Sequence, residues 1–283
     1  MTERLADIGV RIEGIRQLDA VVNAMRGIAA ARVQQARGQL VAVDGYAATI
    51  EAAIGRALAL LPPAGPGATG RSGRPALVLF CAEQGFAGTF SERVLDGAGA
   101  DLATSELFLI GTRGTAIAAE RGLAIGWKGA MPAHSPGIPK LADRIAGALY
   151  ARIDAGAIDR LDAIFGQREP GRGLRVERIR LFPFDPARFP ATSEAAPFLN
   201  LTPRVLLGEL TADYLHALLC KAALHAFAAE NEARMEAMAA ARGQIERRLV
   251  SLRAAERQER QEEITAEILE LAAGETASQH HGV

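Results

Sequence analysis

The fold is decided by Leu206–Ala273, LLGELTADYLHALLCKAALHAFAAENEARMEAMAAARGQIERRLVSLRAAERQERQEEITAEILELAA, a run of 68 residues with no proline and only two glycines, Gly208 and Gly243. At 1.5 Å per residue an unbroken helix of this length extends roughly 100 Å, whereas the mean globular helix has about 11 to 12 residues. Its apolar residues Leu224, Phe227, Met235, Met238, Ala241, Ile245, Leu249 and Leu252 recur in steps of three and four, with Asn231 interrupting them. Such a stripe requires a partner helix.

The N-terminus supplies one. From Leu5 to Leu61 an apolar or alanine position recurs at Ile8, Ile12, Ile15, Leu18, Val22, Met25, Ala29, Val33, Ala36, Leu40, Val43, Ala47, Ile50, Ile54 and Leu58. The mean step is about 3.5 residues, the repeat that winds helices around each other left-handedly. The first proline after the start is Pro62, so nothing breaks this helix before it. The two ends of the chain are therefore expected to pair as a long antiparallel coiled coil. Two separate bundles of shorter helices are the other arrangement the pattern allows.

The 283 residues allow one large or two smaller domains, and 49% hydrophobic with 23% charged residues is a globular composition. A net charge of −1 argues against general affinity for nucleic acid or an anionic membrane. Cys81 and Cys220 lie in apolar segments and read as small core residues. The charged, amphipathic start is not a signal peptide, and no apolar run approaches the roughly 20 residues of a membrane span.

Between the long helices the chain changes character. Residues 62–75, PPAGPGATGRSGRP, form a Gly/Pro linker. Ala76–Ala82 reads as a buried strand ending at a turn, Gly85–Gly88, that leads into a helix. Glu106–Ile110 is a second strand, followed by Gly111 and a helix over Thr112–Glu120; Leu123–Trp127 is a third. A helix over Lys140–Asp154, a strand over Leu161–Gly166 and an edge strand over Leu174–Phe182 complete the set. Alternating strands and helices imply an inserted, small Rossmann-like α/β domain over residues 76–203. The proline-punctuated stretch Pro183–Pro203 returns the chain to the last helix. The expected division is then a coiled-coil helix at 1–61, the linker, the inserted domain, a second coiled-coil helix at 204–274 and a flexible tail at 275–283.

Catalytic and ligand chemistry is sparse. Gly85-Phe86-Ala87-Gly88-Thr89 lacks the lysine and spacing of a P-loop, and Gly111-Thr112-Arg113-Gly114 lacks the three spaced glycines of a dinucleotide fingerprint, so structural turns are the better reading. His216 and His225 are nine residues apart on one helix, not at ligand spacing; His134 sits in a proline-rich loop, and His280 and His281 in the tail. No cofactor and no metal site is expected. Arg253–Glu263 carries seven charges in 11 residues. It is either a solvated helix face held by i, i+4 pairs such as Glu256 with Arg260, or a polar collar touching a surrounding protein.

Three stretches resemble the γ subunit of F-type ATP synthases. Ala24-Met25-Arg26-Gly27-Ile28-Ala29-Ala30-Ala31-Arg32 resembles the segment AM-x-x-VAA-x-K, with Arg32 in place of the lysine. Glu230-Asn231-Glu232-Ala233-Arg234-Met235-Glu236-Ala237-Met238 resembles E-x-x-ARM-x-AM, and Arg260–Leu271 resembles RQ-x-x-IT-x-E-x-x-E-I. The resemblance implies a rotor: paired terminal helices inside a ring of three α and three β subunits, with the α/β domain below, against the ε subunit and the c-subunit ring of the membrane sector. Nucleotide and magnesium belong to the α and β subunits, so the stalk is not catalytic alone. By position, Met25, Arg32, Arg234, Arg260, Gln261, Thr265, Glu267 and Glu270 are the implied ring contacts. Location at the cytoplasmic face of the plasma membrane follows, and no nucleic-acid partner does. The family's Asn-Thr-Gln is here Gln17-Leu18-Asp19 and its turn RGLCGG is here Gln84–Thr89, which leaves open a housekeeping complex or a divergent second one, transporting protons or sodium. The alternative class is a small α/β nucleotide-binding protein or enzyme with helical dimerisation arms.

Overall fold

The computed structural model describes residues 2–61, 73–169, 171, 173–189 and 199–279. Most of the linker, much of the stretch before the last helix, and His280 and His281 lie outside the described residues. The order is helix α1 (Thr2–Ala59), strand β1 (Arg74–Phe80), helices α2 (Phe90–Asp96) and α3 (Asp101–Thr104), strand β2 (Glu106–Ile110), helix α4 (Thr112–Glu120), strand β3 (Ile125–Gly129), helix α5 (Ile138–Asp154), strands β4 (Ile158–Glu169) and β5 (Gly173–Phe182), and helix α6 (Pro203–Gln279). This is the mixed α/β class expected, with a long helix at each end and a sheet between. The chain forms two compact units, residues 29–234 and residues 1–28 with 235–283.

In the first unit the sheet runs β3-β2-β1-β4-β5. β1 pairs in parallel with β2 and β4, β2 with β3, and β5 closes the edge antiparallel to β4. The apolar runs of β1 and β2 are buried on both faces, as strands covered from two sides must be. Ala76, Val78, Phe80, Phe108 and Ile110 point to one core, Leu77, Leu79, Leu107 and Leu109 to the other. Helix α5 covers the first face with Ile138, Leu141, Ala142, Ile145, Leu149 and Ile153, spaced by three and four. Each such Leu or Ile contributes roughly 1.5–3 kcal/mol by leaving water. Ala36, Ala47, Ile50 and Ile54 of α1 and the stretch from Tyr214 to Phe227 of α6 join that core, and α2 and α4 cover the other face.

The two long helices are antiparallel in this unit. As the numbers climb on α1 they fall on α6: Arg37 pairs with Glu232 at 2.5 Å, Asp44 with Lys221 at 2.6 Å, and the Tyr214 hydroxyl donates to Glu51. In the second unit Val22, Met238 and Ile245 form a buried cluster with Ile15, Met25, Ala241 and Leu249, and Arg242 lies 3.8 Å from Asp19.

Several boundaries differ from the sequence reading by two or three residues: β1 runs Arg74–Phe80 rather than Ala76–Ala82, α5 starts at Ile138 rather than Lys140 and β3 ends at Gly129 rather than Trp127. β3 starts at Ile125 rather than Leu123, because Leu123 belongs to the end of α4. Its N–H reaches the Ala118 carbonyl (3.0 Å) and the N–H of Gly122, at φ +68°, reaches Ala119 (3.0 Å), the Schellman pattern of a helix stop. β4 runs from Ile158 to Glu169 rather than Leu161 to Gly166. Its first residues pair with β1 at Ile158 and Arg160, its polar C-terminal end pairs with β5 as far as Glu169 and Gly173, and Asp162, 2% exposed, accepts from Arg178 and Arg180.

Candidate functional site

The glycines weighed as phosphate turns have packing roles. At Gly111 (φ +105°) an added Cβ would sit 2.4 Å from the Cys81 carbonyl oxygen, and at Gly114 2.1 Å from the Cys81 Cβ. Only glycine lets the start of α4 rest on the end of β1. The N-terminus of α4, where an anion would be favoured, is filled by the chain itself. The Glu83 carboxylate accepts from the Thr112 N–H (3.0 Å), the Thr112 hydroxyl (2.6 Å) and the Met131 N–H (2.8 Å). Glu83 thereby ties the turn after β1 to the loops after β2 and β3.

That turn is also tied to α6. Glu230 accepts from the N–H groups of Glu83 (3.1 Å) and Gln84 (3.3 Å) and from the Arg234 guanidinium. Arg234 also donates to Asn231 Oδ1 (2.8 Å) and the Gly85 carbonyl (3.3 Å), and Asn231 Nδ2 donates to the Phe227 carbonyl (2.8 Å). All three side chains are buried, so each charge needs these partners. Burial, and next Glu230, push the Cys81 thiol up to about 12, so it is no thiolate at neutral pH. Above this knot the turn holds Phe86 at φ 62° and 66% exposed, a left-handed conformation rare for a bulky residue.

The structure thus sorts the eight residues singled out by sequence. Arg234 turns its guanidinium into the knot rather than outward. Arg32 approaches the same turn, 3.5 Å from Gln84 Oε1. Met25 is half-buried in the cluster around Val22. Arg260, Gln261, Thr265, Glu267 and Glu270 are all exposed on the last part of α6, interleaved with exposed Ile264, Ile268, Leu269 and Leu271. Arg260 pairs with Glu256 at 3.3 Å, as the spacing foretold, and the Thr265 hydroxyl donates to the Gln261 carbonyl at 2.8 Å. Sequence reasoning passed over Glu83 and the knot. The available signal was Glu230, Asn231 and Arg234 falling together in an otherwise apolar stretch.

Comparison with known proteins decides the family. A family model described as ATP synthase matches residues 4–277. The chain belongs to the ATP synthase gamma family. Relatives of this gamma-family chain include the ATP synthase gamma chains of Pelodictyon phaeoclathratiforme, 25% identical over 289 residues (96% of this chain, 98% of the relative), and Chlorobium luteolum, 26% identical over 290 (98% and 99%). That of a Parafrankia species is 26% identical over 294 (98% and 98%). In fold the chain resembles a chain of the Euglena gracilis mitochondrial ATP synthase OSCP/F1/c-ring structure, with a TM-score of 0.64 at 12% identity, covering 98% of this chain and 95% of that one. It also resembles a chain of the Tetrahymena thermophila mitochondrial central stalk and c-ring, with a TM-score of 0.55 at 15% identity (78% and 99%). The gamma subunit is the stalk of the synthase and not its catalytic part. It is associated with the membrane through the complex, and among the described residues no helix is long and apolar enough to cross a bilayer.

Proposed function

We propose that this gamma chain turns inside a ring of three α and three β subunits and couples ion passage through the membrane sector to ATP synthesis or hydrolysis. Its foot would rest against an ε subunit and the c-subunit ring at the cytoplasmic face of the plasma membrane. The uneven sides of the helix pair present each β subunit with different contacts, and only such differential contacts can bias sites toward different states.

One observation carries the assignment of contacts. From Arg260, inside the charged collar Arg253–Glu263, to Glu270 beyond it, α6 sets hydrogen-bonding side chains beside exposed apolar ones on a single helix. Contacts made and released at every turn favour such partly hydrated pairs over a large dry interface. Met25 and Arg32 on α1 are proposed to add to them. Arg234 acts from inside, by holding the Gln84–Thr89 turn in place.

The test is the double variant Arg260→Ala with Gln261→Ala in a reconstituted synthase. ATP turnover coupled to rotation falls, while the melting temperature of the isolated chain stays within the small range of surface substitutions. Unchanged turnover and unchanged affinity for the ring would remove these residues from the interface.

A further inference from the structure

A cavity of about 540 Å³ lies at the N-terminal ends of the parallel strands β1, β2 and β3, the edge of the sheet opposite Glu83. Arg74, Ser105, Glu106, Gly122, Gly126 and Arg152 are among the residues that line it. Ser105 is 5% exposed, and its hydroxyl oxygen is buried without a hydrogen-bond partner. A buried hydroxyl left unpaired is unfavourable, and native proteins rarely keep one without cause. Beside it, Arg74 reaches the Thr104 carbonyl at 3.5 Å, and Arg152 Nε lies 3.2 Å from Glu106 Oε1. These contacts engage one side of each guanidinium and leave further N–H donors of its planar fork. Gly126 makes room for the tether: a Cβ there would lie 2.8 Å from Glu106 Cγ. Two arginines and one carboxylate leave the cavity with one net positive charge.

We propose that this cavity binds a phosphate-class anion, with Arg74 and Arg152 as its charge partners and Ser105 as the buried hydroxyl donor. Glu106 is a positioning residue that aims Arg152. The volume exceeds what a bare phosphate needs, so a phosphomonoester or a phospholipid headgroup fits the same chemistry. The inference is independent of the stalk reading, because the cavity shares no residue with the collar or the knot.

The test uses the full chain at 150 mM salt, titrated calorimetrically with inorganic phosphate and with glycerol 3-phosphate, and floated with vesicles of phosphatidylcholine with and without phosphatidylglycerol. Saturable one-to-one binding is expected. It weakens about tenfold or more in Arg74→Gln and in Arg152→Gln, the loss that a charge-assisted hydrogen bond implies. Response to the soluble phosphates assigns a free ligand, and flotation lost in the arginine variants assigns a headgroup; either supports the site. Thermal melting gives an independent reading. Phosphate raises the melting temperature of the wild type by binding only the folded state, whereas Ser105→Ala melts higher without phosphate and loses that rise. No saturable response to any of the three probes, or binding undiminished in all three variants, overturns the proposal.

Discussion

At the scale of single residues, the buried knot on α6 carries the sharpest consequence. Removing one partner of a buried ion pair strands the other, so Arg234→Ala or Glu230→Gln is expected to destabilise the chain by roughly 3–5 kcal/mol, read as a lower urea midpoint. A loss below about 1 kcal/mol would mean that the pair is hydrated rather than buried. His225 supplies a pH signature. It stacks on Phe165 with ring centroids 5.7 Å apart, and burial, followed by Lys221, lowers its pKa. The unfolded chain therefore binds a proton more readily near pH 6, so this contribution is present above the ordinary imidazole range and is lost as pH falls below it. Stability should drop between pH 7.5 and 5.5, and His225→Phe should flatten that dependence. An unchanged slope in the variant would assign it to other groups.

At the scale of elements, glycines divide by what surrounds them. A Cβ added at Gly38 on α1 meets nothing within 4 Å, so Gly38→Ala should stabilise the chain by roughly 0.5–1 kcal/mol through lost backbone freedom in the unfolded state. Gly114→Ala should cost roughly 1–3 kcal/mol, since its Cβ would overlap Cys81. Thermal melting of the two variants in opposite directions checks both. The same contrast explains what sequence could reveal. The long helices were legible because a repeat near 3.5 survives over dozens of residues, and α4 was legible because Gly111 and the residues after it mark its start. β4 was read too short because its two ends are polar, Asp159 and Arg160 at the start and Gln167, Arg168 and Glu169 at the finish, and look like loop although they pair with β1 and β5. The knot was hidden for another reason: Glu230 and Arg234 are neighbours on one turn of helix, but the backbone they hold is more than 140 residues away in sequence.

At the scale of the whole molecule, the chain is a gamma-family stalk subunit, and its sequence and fold divide that role. The exposed stretch from Arg260 to Glu270 is where contacts to other subunits are proposed, while the sheet and its tethered loops hold a turn that displays Phe86. The anion position at the start of α4 is filled by Glu83. The central claim is that this chain transmits rotation. The most direct measurement holds an α3β3 ring on a surface and follows a bead fixed to the foot of this chain while ATP is supplied. One-directional rotation with three dwell positions per turn is the predicted result. A ring that assembles with the chain and hydrolyses ATP while the bead stays still would contradict it.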